Sequence, residues 1–211
     1  MSSAKLFVIS APSGCGKGTI LERVLKRRDL YYSISYTTRE MREGEKEGVN
    51  YFFVSKQRFE MMIDGGDFLE YAKYSDNYYG SPKAEILQHL ARGTDVVLEI
   101  EVDGAFQIKK KFPDAVLVFI LPPDVKTLEK RLVGRGTDKP DVIKKRLARA
   151  GREIVASYRY DYAILNDDLD QAVEDLLTLM EGVREQDEKA FQFSTKNDET
   201  VKLIEKVISN A

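Results

Sequence analysis

The chain has 211 residues, 43% hydrophobic and 32% charged, with 33 basic against 35 acidic side chains and a formal net charge of −2 at pH 7. That length and balance predict one sizeable core with small appended lobes, and they disfavour a polybasic nucleic-acid binder, which relies on a net positive field. A single cysteine, Cys15, and a single histidine, His89, exclude an intramolecular disulfide framework, a cysteine-based zinc site and any catalytic triad that does not run through His89.

In chain order, residues 5–10 form a short apolar run that reads as a buried strand, followed by a glycine-rich loop and a helix over 17–28 with Ile20, Leu21, Val24 and Leu25 on one face. Residues 31–80 differ. They are rich in Tyr, Phe, Thr and Ser with short alternating stretches (Ser33-Ile34-Ser35-Tyr36 and Tyr51-Phe52-Phe53-Val54), which predicts a small, mainly antiparallel β lobe inserted into the core. His89 sits in what reads as a helix flank. Buried strands are predicted at 96–100 and 116–120, each followed by a helical stretch, at 105–111 and 125–132, and a fourth strand at 162–165 leads into a helix over 169–184. Strands alternating with helices predict an α/β fold with a parallel sheet and helices on both faces. Residues 134–140 read as a polar break, and Val201, Ile204, Val207 and Ile208 give the tail after 185 the pattern of a surface helix. The apolar runs are too short for a membrane span or a signal-peptide core, so a cytoplasmic protein with no membrane or nucleic-acid partner is expected.

The most informative stretch is Ser10-Ala11-Pro12-Ser13-Gly14-Cys15-Gly16-Lys17-Gly18-Thr19. Glycines let successive N–H groups curl around an anion, the helix start adds its dipole, and Lys17 brings a charge to bridging and terminal phosphates. The strand–loop–helix context predicts a nucleotide phosphate site. The pattern departs from G-x-x-x-x-G-K-[ST] at both ends, with Ala11 first and Gly18 last. Its Gly-Lys-Gly-Thr order resembles the loop of adenylate kinases, in which the threonine hydroxyl supports a phosphate and Mg²⁺ is held largely through water. Cys15 reads as a small filler of the loop, since thiolate chemistry needs an activating base.

No Asn-Lys-x-Asp guanine-reading motif of a regulatory GTPase is present. Instead the chain carries Ser35-Tyr36-Thr37-Thr38-Arg39-Glu40-Met41-Arg42-Glu43-Gly44-Glu45, Gly48-Val49-Asn50-Tyr51-Phe52-Phe53-Val54, Phe68-Leu69-Glu70-Tyr71-Ala72, Asn77-Tyr78-Tyr79-Gly80-Ser81, Leu98-Glu99-Ile100-Glu101-Val102-Asp103-Gly104, Leu121-Pro122-Pro123, Arg131-Leu132-Val133-Gly134-Arg135-Gly136-Thr137 and Leu165-Asn166-Asp167-Asp168. In that order and spacing these resemble the guanylate kinases, over residues 5–184.

The resemblance implies an α/β phosphate-loop fold and transfer of the γ-phosphoryl group of ATP to GMP, and to dGMP, giving ADP and GDP with Mg²⁺, in purine nucleotide metabolism and GMP recycling. It implies a core (1–32, 81–133 and 158–186), a GMP-binding lobe (33–80), a lid (134–157) and a helical tail (187–211). ATP is expected on Ala11, Pro12, Ser13, Gly14, Cys15, Gly16, Lys17, Gly18, Thr19, Arg131, Arg135 and Asn166, where the Asn166 carboxamide either pairs with the adenine edge or caps a helix. Arg39, Arg42, Tyr51 and Tyr79 match the positions that hold the GMP phosphate, and two guanidinium forks with two phenols suit a dianion. Ser35, Glu70, Ser81 and Glu101 match those that read guanine, Glu101 standing where many relatives have Asp. Lys17, Arg39, Arg135 and Arg146 are the expected catalytic cations, and Arg149 and Arg152 read as surface charge. Thr19 and Glu99, directly or through water, are the expected groups near the metal. Lobe and lid are expected to close over both substrates; scattering that showed no compaction with a two-substrate analogue would count against this. Two other readings stand beside this one. The loop would also suit a kinase for another nucleoside monophosphate, against which Ser35, Glu70 and Ser81 argue. A catalytically silent scaffold module of guanylate-kinase-like type would tend to lack the loop. Monomer and homo-oligomer are both compatible with the sequence.

Overall fold

The computed structural model describes residues 4–74, 76–134 and 140–209. The first apolar run forms β1 (Leu6–Ser10), buried at every position. The glycine loop then opens α1 (Lys17–Leu25), whose Ile20, Leu21 and Val24 are buried as the helical spacing predicts. Three short strands follow, β2 (Tyr31–Ser33), β3 (Tyr36–Thr37) and β4 (Phe52–Phe53). A helix not predicted from sequence, α2 (Lys56–Asp64), starts where the Ser55 side chain accepts a hydrogen bond from the Arg58 amide. The chain continues through β5 (Phe68–Tyr74), β6 (Asn77–Pro82), α3 (Lys83–Ala91), β7 (Val96–Glu99), α4 (Val102–Lys111), β8 (Val116–Leu121), α5 (Val125–Gly134), α6 (Pro140–Ala156), β9 (Tyr162–Leu165), α7 (Leu169–Glu185) and α8 (Asp198–Ser209). Among the described residues, no helix is long and apolar enough to cross a membrane.

The described residues fall into two compact units, one drawn from 8–29 and 116–209, the other from 4–7 and 30–115. In the first, the strand order is β1-β8-β9. β8 and β9 run parallel, with Val118 opposite Tyr162 and Leu121 opposite Leu165. β8 is buried at all positions, the mark of a strand covered on both faces. α7 packs on β9 and on α1, and α8 packs on α6. The tail is thus more than a surface helix. Ile204 and Val207 are fully buried, Ser194 bridges antiparallel to Tyr162, and the Thr195 hydroxyl donates to the Tyr160 carbonyl at 2.6 Å.

In the second unit β2 and β7 pair in parallel, Tyr31 opposite Val96 and Ser33 opposite Leu98, within the order β2-β7-β1. A separate four-stranded sheet has the order β4-β3-β6-β5. Its β3–β6 and β5–β6 pairs are antiparallel, as predicted for this lobe, whereas β3 and β4 are parallel. Phe59, Met62 and Phe68 form its core, with Tyr36, Val54, Ile63 and Tyr78 packed around them. The Phe59 ring stacks on Phe68 at 4.4 Å and on Tyr78 at 5.3 Å. The alternating stretch at 33–36 is not one strand. Ser33 ends β2 in one sheet and Tyr36 begins β3 in the other, because the two halves find different partners. His89 lies within α3 and stacks on Tyr31 at 3.7 Å.

Candidate active site

The first unit carries the phosphate loop. Cys15 N–H donates to the Pro12 carbonyl at 3.0 Å, closing a turn. Gly14 and Gly16 take φ values of 88° and 91°, and Gly16 is the residue from which α1 starts, with no side chain capping it. An uncapped helix start behind a glycine turn is the arrangement that receives an anion. Gly16 is required twice over. Its φ is left-handed, and a Cβ there would stand 2.7 Å from the Asn166 amide nitrogen.

Asn166 is buried, and its side-chain amide donates to the Cys15 carbonyl at 2.6 Å. The Arg131 guanidinium donates to the same carbonyl and to the Asn166 carbonyl, both at 3.3 Å. The helix cap at this point belongs to Asp168, whose carboxylate accepts from the Gln171 amide at 2.9 Å. Asn166 and Arg131 therefore act on the loop itself. A cavity of about 470 Å³ opens beside them, lined by Gly14, Gly16, Thr19, Arg131, Gly134, Asn166, Asp167 and Leu169. Its lining joins the loop to the Arg131 and Asn166 segments, which lie far apart in sequence. The Cys15 side chain is fully buried and donates to the Ile120 carbonyl at 3.4 Å. Burial pushes its thiol up to about 12, against the pull of Arg131 and Lys17, so it is a packed thiol rather than a nucleophile. Arg146 lies on α6, partly buried. On the same helix Arg149 binds the buried Glu153 at 2.5 Å and is more than surface charge, whereas Arg152 is exposed. Arg135 lies outside the described residues.

The second unit gathers the other predicted group. The Arg39 guanidinium donates to Glu45 at 2.7 Å and to the Glu40 carbonyl at 2.6 Å, and it lies over the Tyr51 ring at 5.5 Å. Tyr51 and Tyr79 meet edge to face at 5.8 Å, and a hydrogen bond to Tyr79 helps hold Arg39 charged. Glu45 also accepts from the Arg42 amide at 2.8 Å. Arg39 pulls its carboxyl below the ordinary range. Glu45 has no expected role from its residue type alone; its signal in the sequence is its offset of three from Arg42 and six from Arg39. Burial pushes the Tyr51 hydroxyl up to about 12, with Glu99 adding to it. Glu99 accepts from the Tyr32 hydroxyl at 2.8 Å.

Glu70 is buried. The Ser81 hydroxyl donates to its Oε1 at 2.7 Å, and the two residues are paired across β5 and β6. Burial raises the Glu70 carboxyl above its ordinary value, while Ser81 and Lys111 pull it down. Glu101 is the exposed residue before α4. Ser35 lies between β2 and β3, its carbonyl accepting from the Phe52 amide at 3.0 Å. Among the described residues no group of three or more His, Cys, Asp or Glu side chains converges as a metal cage.

The sequence model of the family described as guanylate kinase matches residues 3–183. A guanylate kinase of Carboxydothermus hydrogenoformans is 54% identical over 177 residues, covering 83% of this chain and 87% of that protein. One of Lactiplantibacillus plantarum is 50% identical over 181 residues, covering 85% and 88%. Among solved structures, the guanylate kinase from Anaplasma phagocytophilum superposes with a TM-score of 0.74 at 29% identity, covering 87% of each chain.

Proposed function

The chain belongs to the guanylate kinase family and is a nucleotide kinase acting on GMP, and from that premise we propose that its phosphoryl donor is ATP, its products are ADP and GDP, and dGMP is a second acceptor. In this reading the loop from Ala11 to Thr19 cradles the donor phosphates. Lys17, Arg146 and, on residue type alone, Arg135 neutralise charge on the moving group, while Arg131 and Asn166 hold the loop in shape. The acceptor phosphate is taken by Arg39, Arg42, Tyr51 and Tyr79, and guanine by Ser35, Glu70, Ser81 and Glu101.

The observation that carries the acceptor assignment is the Glu70–Ser81 pair. A buried carboxylate held by a hydroxyl at 2.7 Å suits a base that offers N–H and NH₂ donors side by side. Guanine does so and adenine does not, and a site built for such donors rejects analogues lacking them.

The chemistry asks for little proton transfer, because the attacking phosphate oxygen is already ionised near neutral pH. The barrier is repulsion between anions, and fixed cations in a shielded site lower it. A divalent cation such as Mg²⁺, if bound, would supply further positive charge to the donor phosphates. The residue types suit a hard, largely hydrated cation taken through water: in the first unit the Thr19 hydroxyl lines the loop cavity, and in the second unit the Glu99 carboxylate accepts from the Tyr32 hydroxyl. The substrates proposed are metabolites of the cell interior. A cytoplasmic place in purine nucleotide metabolism and GMP recycling goes with them.

A coupled ADP-release assay with ATP against GMP, dGMP, AMP, UMP and CMP tests the proposal. Turnover with GMP and dGMP alone is expected. Turnover with AMP in preference to GMP would overturn the base assignment, and no turnover with any acceptor would favour a binding module.

A further inference from the structure

Glu70 stands on β5, the edge strand of the order β4-β3-β6-β5. It pairs with Ser81 of β6, directly after a register shift between Phe68 and Glu70. The outer side of the strand is held by α4. Gln107 donates its side-chain amide to the Tyr71 carbonyl at 3.1 Å, and the Lys111 ammonium donates to the Leu69 carbonyl at 2.8 Å. These two carbonyls flank Glu70 in sequence. Positions 104, 107 and 111 are spaced by three and four and so share one face of the helix. At the third of them, Gly104, a Cβ would stand 2.6 Å from Glu70 Oε2, so the absent side chain leaves the space the carboxylate uses.

We propose that Lys111 and Gln107 are positioning residues for base selectivity, gripping the β5 backbone on either side of Glu70 so that its carboxylate faces the guanine of the acceptor. The inference rests on the reading of Glu70 as the guanine-binding carboxylate. Lys111 has a second effect through its charge. The groups acting on the Glu70 carboxyl are Ser81 of β6 and Lys111 of α4. Lys83 and Glu85 of α3, which also packs on β5, do not enter, nor does Asp103 of α4. Burial favours the protonated acid, which cannot accept from both guanine donors, and Lys111 opposes that.

Steady-state KM values for GMP and ATP between acid and mildly alkaline pH, in Lys111→Met, Lys111→Arg, Gln107→Met and Glu70→Gln, test the proposal. Lys111→Met is expected to raise KM for GMP about fivefold near neutrality, the range of a lost charge-assisted contact. The acid-side rise in KM for GMP should begin about half a pH unit higher, a small shift because the ammonium is exposed and screened. KM for ATP stays within about twofold, since no donor contact is touched. Lys111→Arg restores most of the effect. Gln107→Met, which keeps the charge, raises KM for GMP without moving the acid limb, and it carries the test alone if Lys111→Met does not fold. Equal rises in both KM values, or an unchanged KM for GMP in folded Lys111→Met, overturn the proposal. If Glu70→Gln leaves KM for GMP unchanged, the guanine reading falls with it. If Glu70→Gln is impaired and the Lys111 and Gln107 variants are silent, this inference alone falls.

Discussion

The Asn166 side chain, 151 residues away in sequence, donates to the carbonyl of Cys15 at 2.6 Å and so fixes one peptide of the phosphate loop from outside it. The Arg131 guanidinium donates to the same carbonyl at a longer 3.3 Å, so losing Asn166 removes the shorter of two donors, a loss of about 1 kcal/mol. Asn166→Ala is therefore expected to raise KM for ATP by about fivefold while leaving KM for GMP within about twofold. Asn166→Asp, which sets a carboxylate against the carbonyl, should be worse. Steady-state kinetics with each substrate varied in turn checks both. Equal effects on both substrates would assign Asn166 a general structural role.

Arg39 and Glu45 form a largely buried ion pair, and Glu45 also holds the Arg42 amide. Glu45 thus fixes both the Arg39 guanidinium and the neighbouring Arg42 backbone donor. Arg39→Lys keeps the charge and loses the planar fork, so KM for GMP should rise by about tenfold. Glu45→Gln should give a smaller rise. Its carboxyl is held below its ordinary value by Arg39, so the stability it contributes is present above that ordinary range and is lost as pH falls through the lowered one. A melting temperature that falls less steeply with acid in Glu45→Gln than in the wild type checks this sign.

Glu70 has the opposite linkage. Burial raises its carboxyl above the ordinary 4.5, so the folded chain binds this proton more tightly than the unfolded chain. Its contribution to stability is greatest below the ordinary value and declines as pH rises through the raised one. In the proposed reading GMP binding uses the ionised form and should improve over the same interval. Glu70→Gln should remove that decline, visible as a flatter melting profile above pH 4.5, and should also remove the GMP-binding gain. A wild-type profile no steeper than that of Glu70→Gln would contradict the assignment.

Cys15 is fully buried with its thiol pushed up to about 12. A disulfide reagent at mildly alkaline pH should leave it unlabelled in the native chain and label one thiol after denaturation. Cys15→Ala should retain turnover within about threefold, because it removes a packed group and no reacting atom. Rapid native labelling would show that the loop opens.

The phosphate loop and the alternation of strands and helices were legible because the information is local. A buried run, glycines, a lysine and a helical stripe lie within about twenty contiguous residues, and chain geometry places them together. The candidate acceptor residues were named through a pattern of separated motifs, which says which side chains belong together without saying what each one touches. Tertiary structure decided the rest. Ser33 and Tyr36 part into different sheets because strand partners are chosen over long separations. Asn166 meets Cys15 rather than capping α7, because β9 delivers its end to the loop while Asp168 takes the cap. Lys111 reaches Leu69, and Glu45 reaches Arg39. The sequence by itself determined the fold class and the anion-binding chemistry, since these follow from periodicity and residue type. Only packing decided which carboxylate is buried, which thiol is silenced and which helix holds the edge strand, since desolvation and hydrogen-bond partners exist only once distant segments meet.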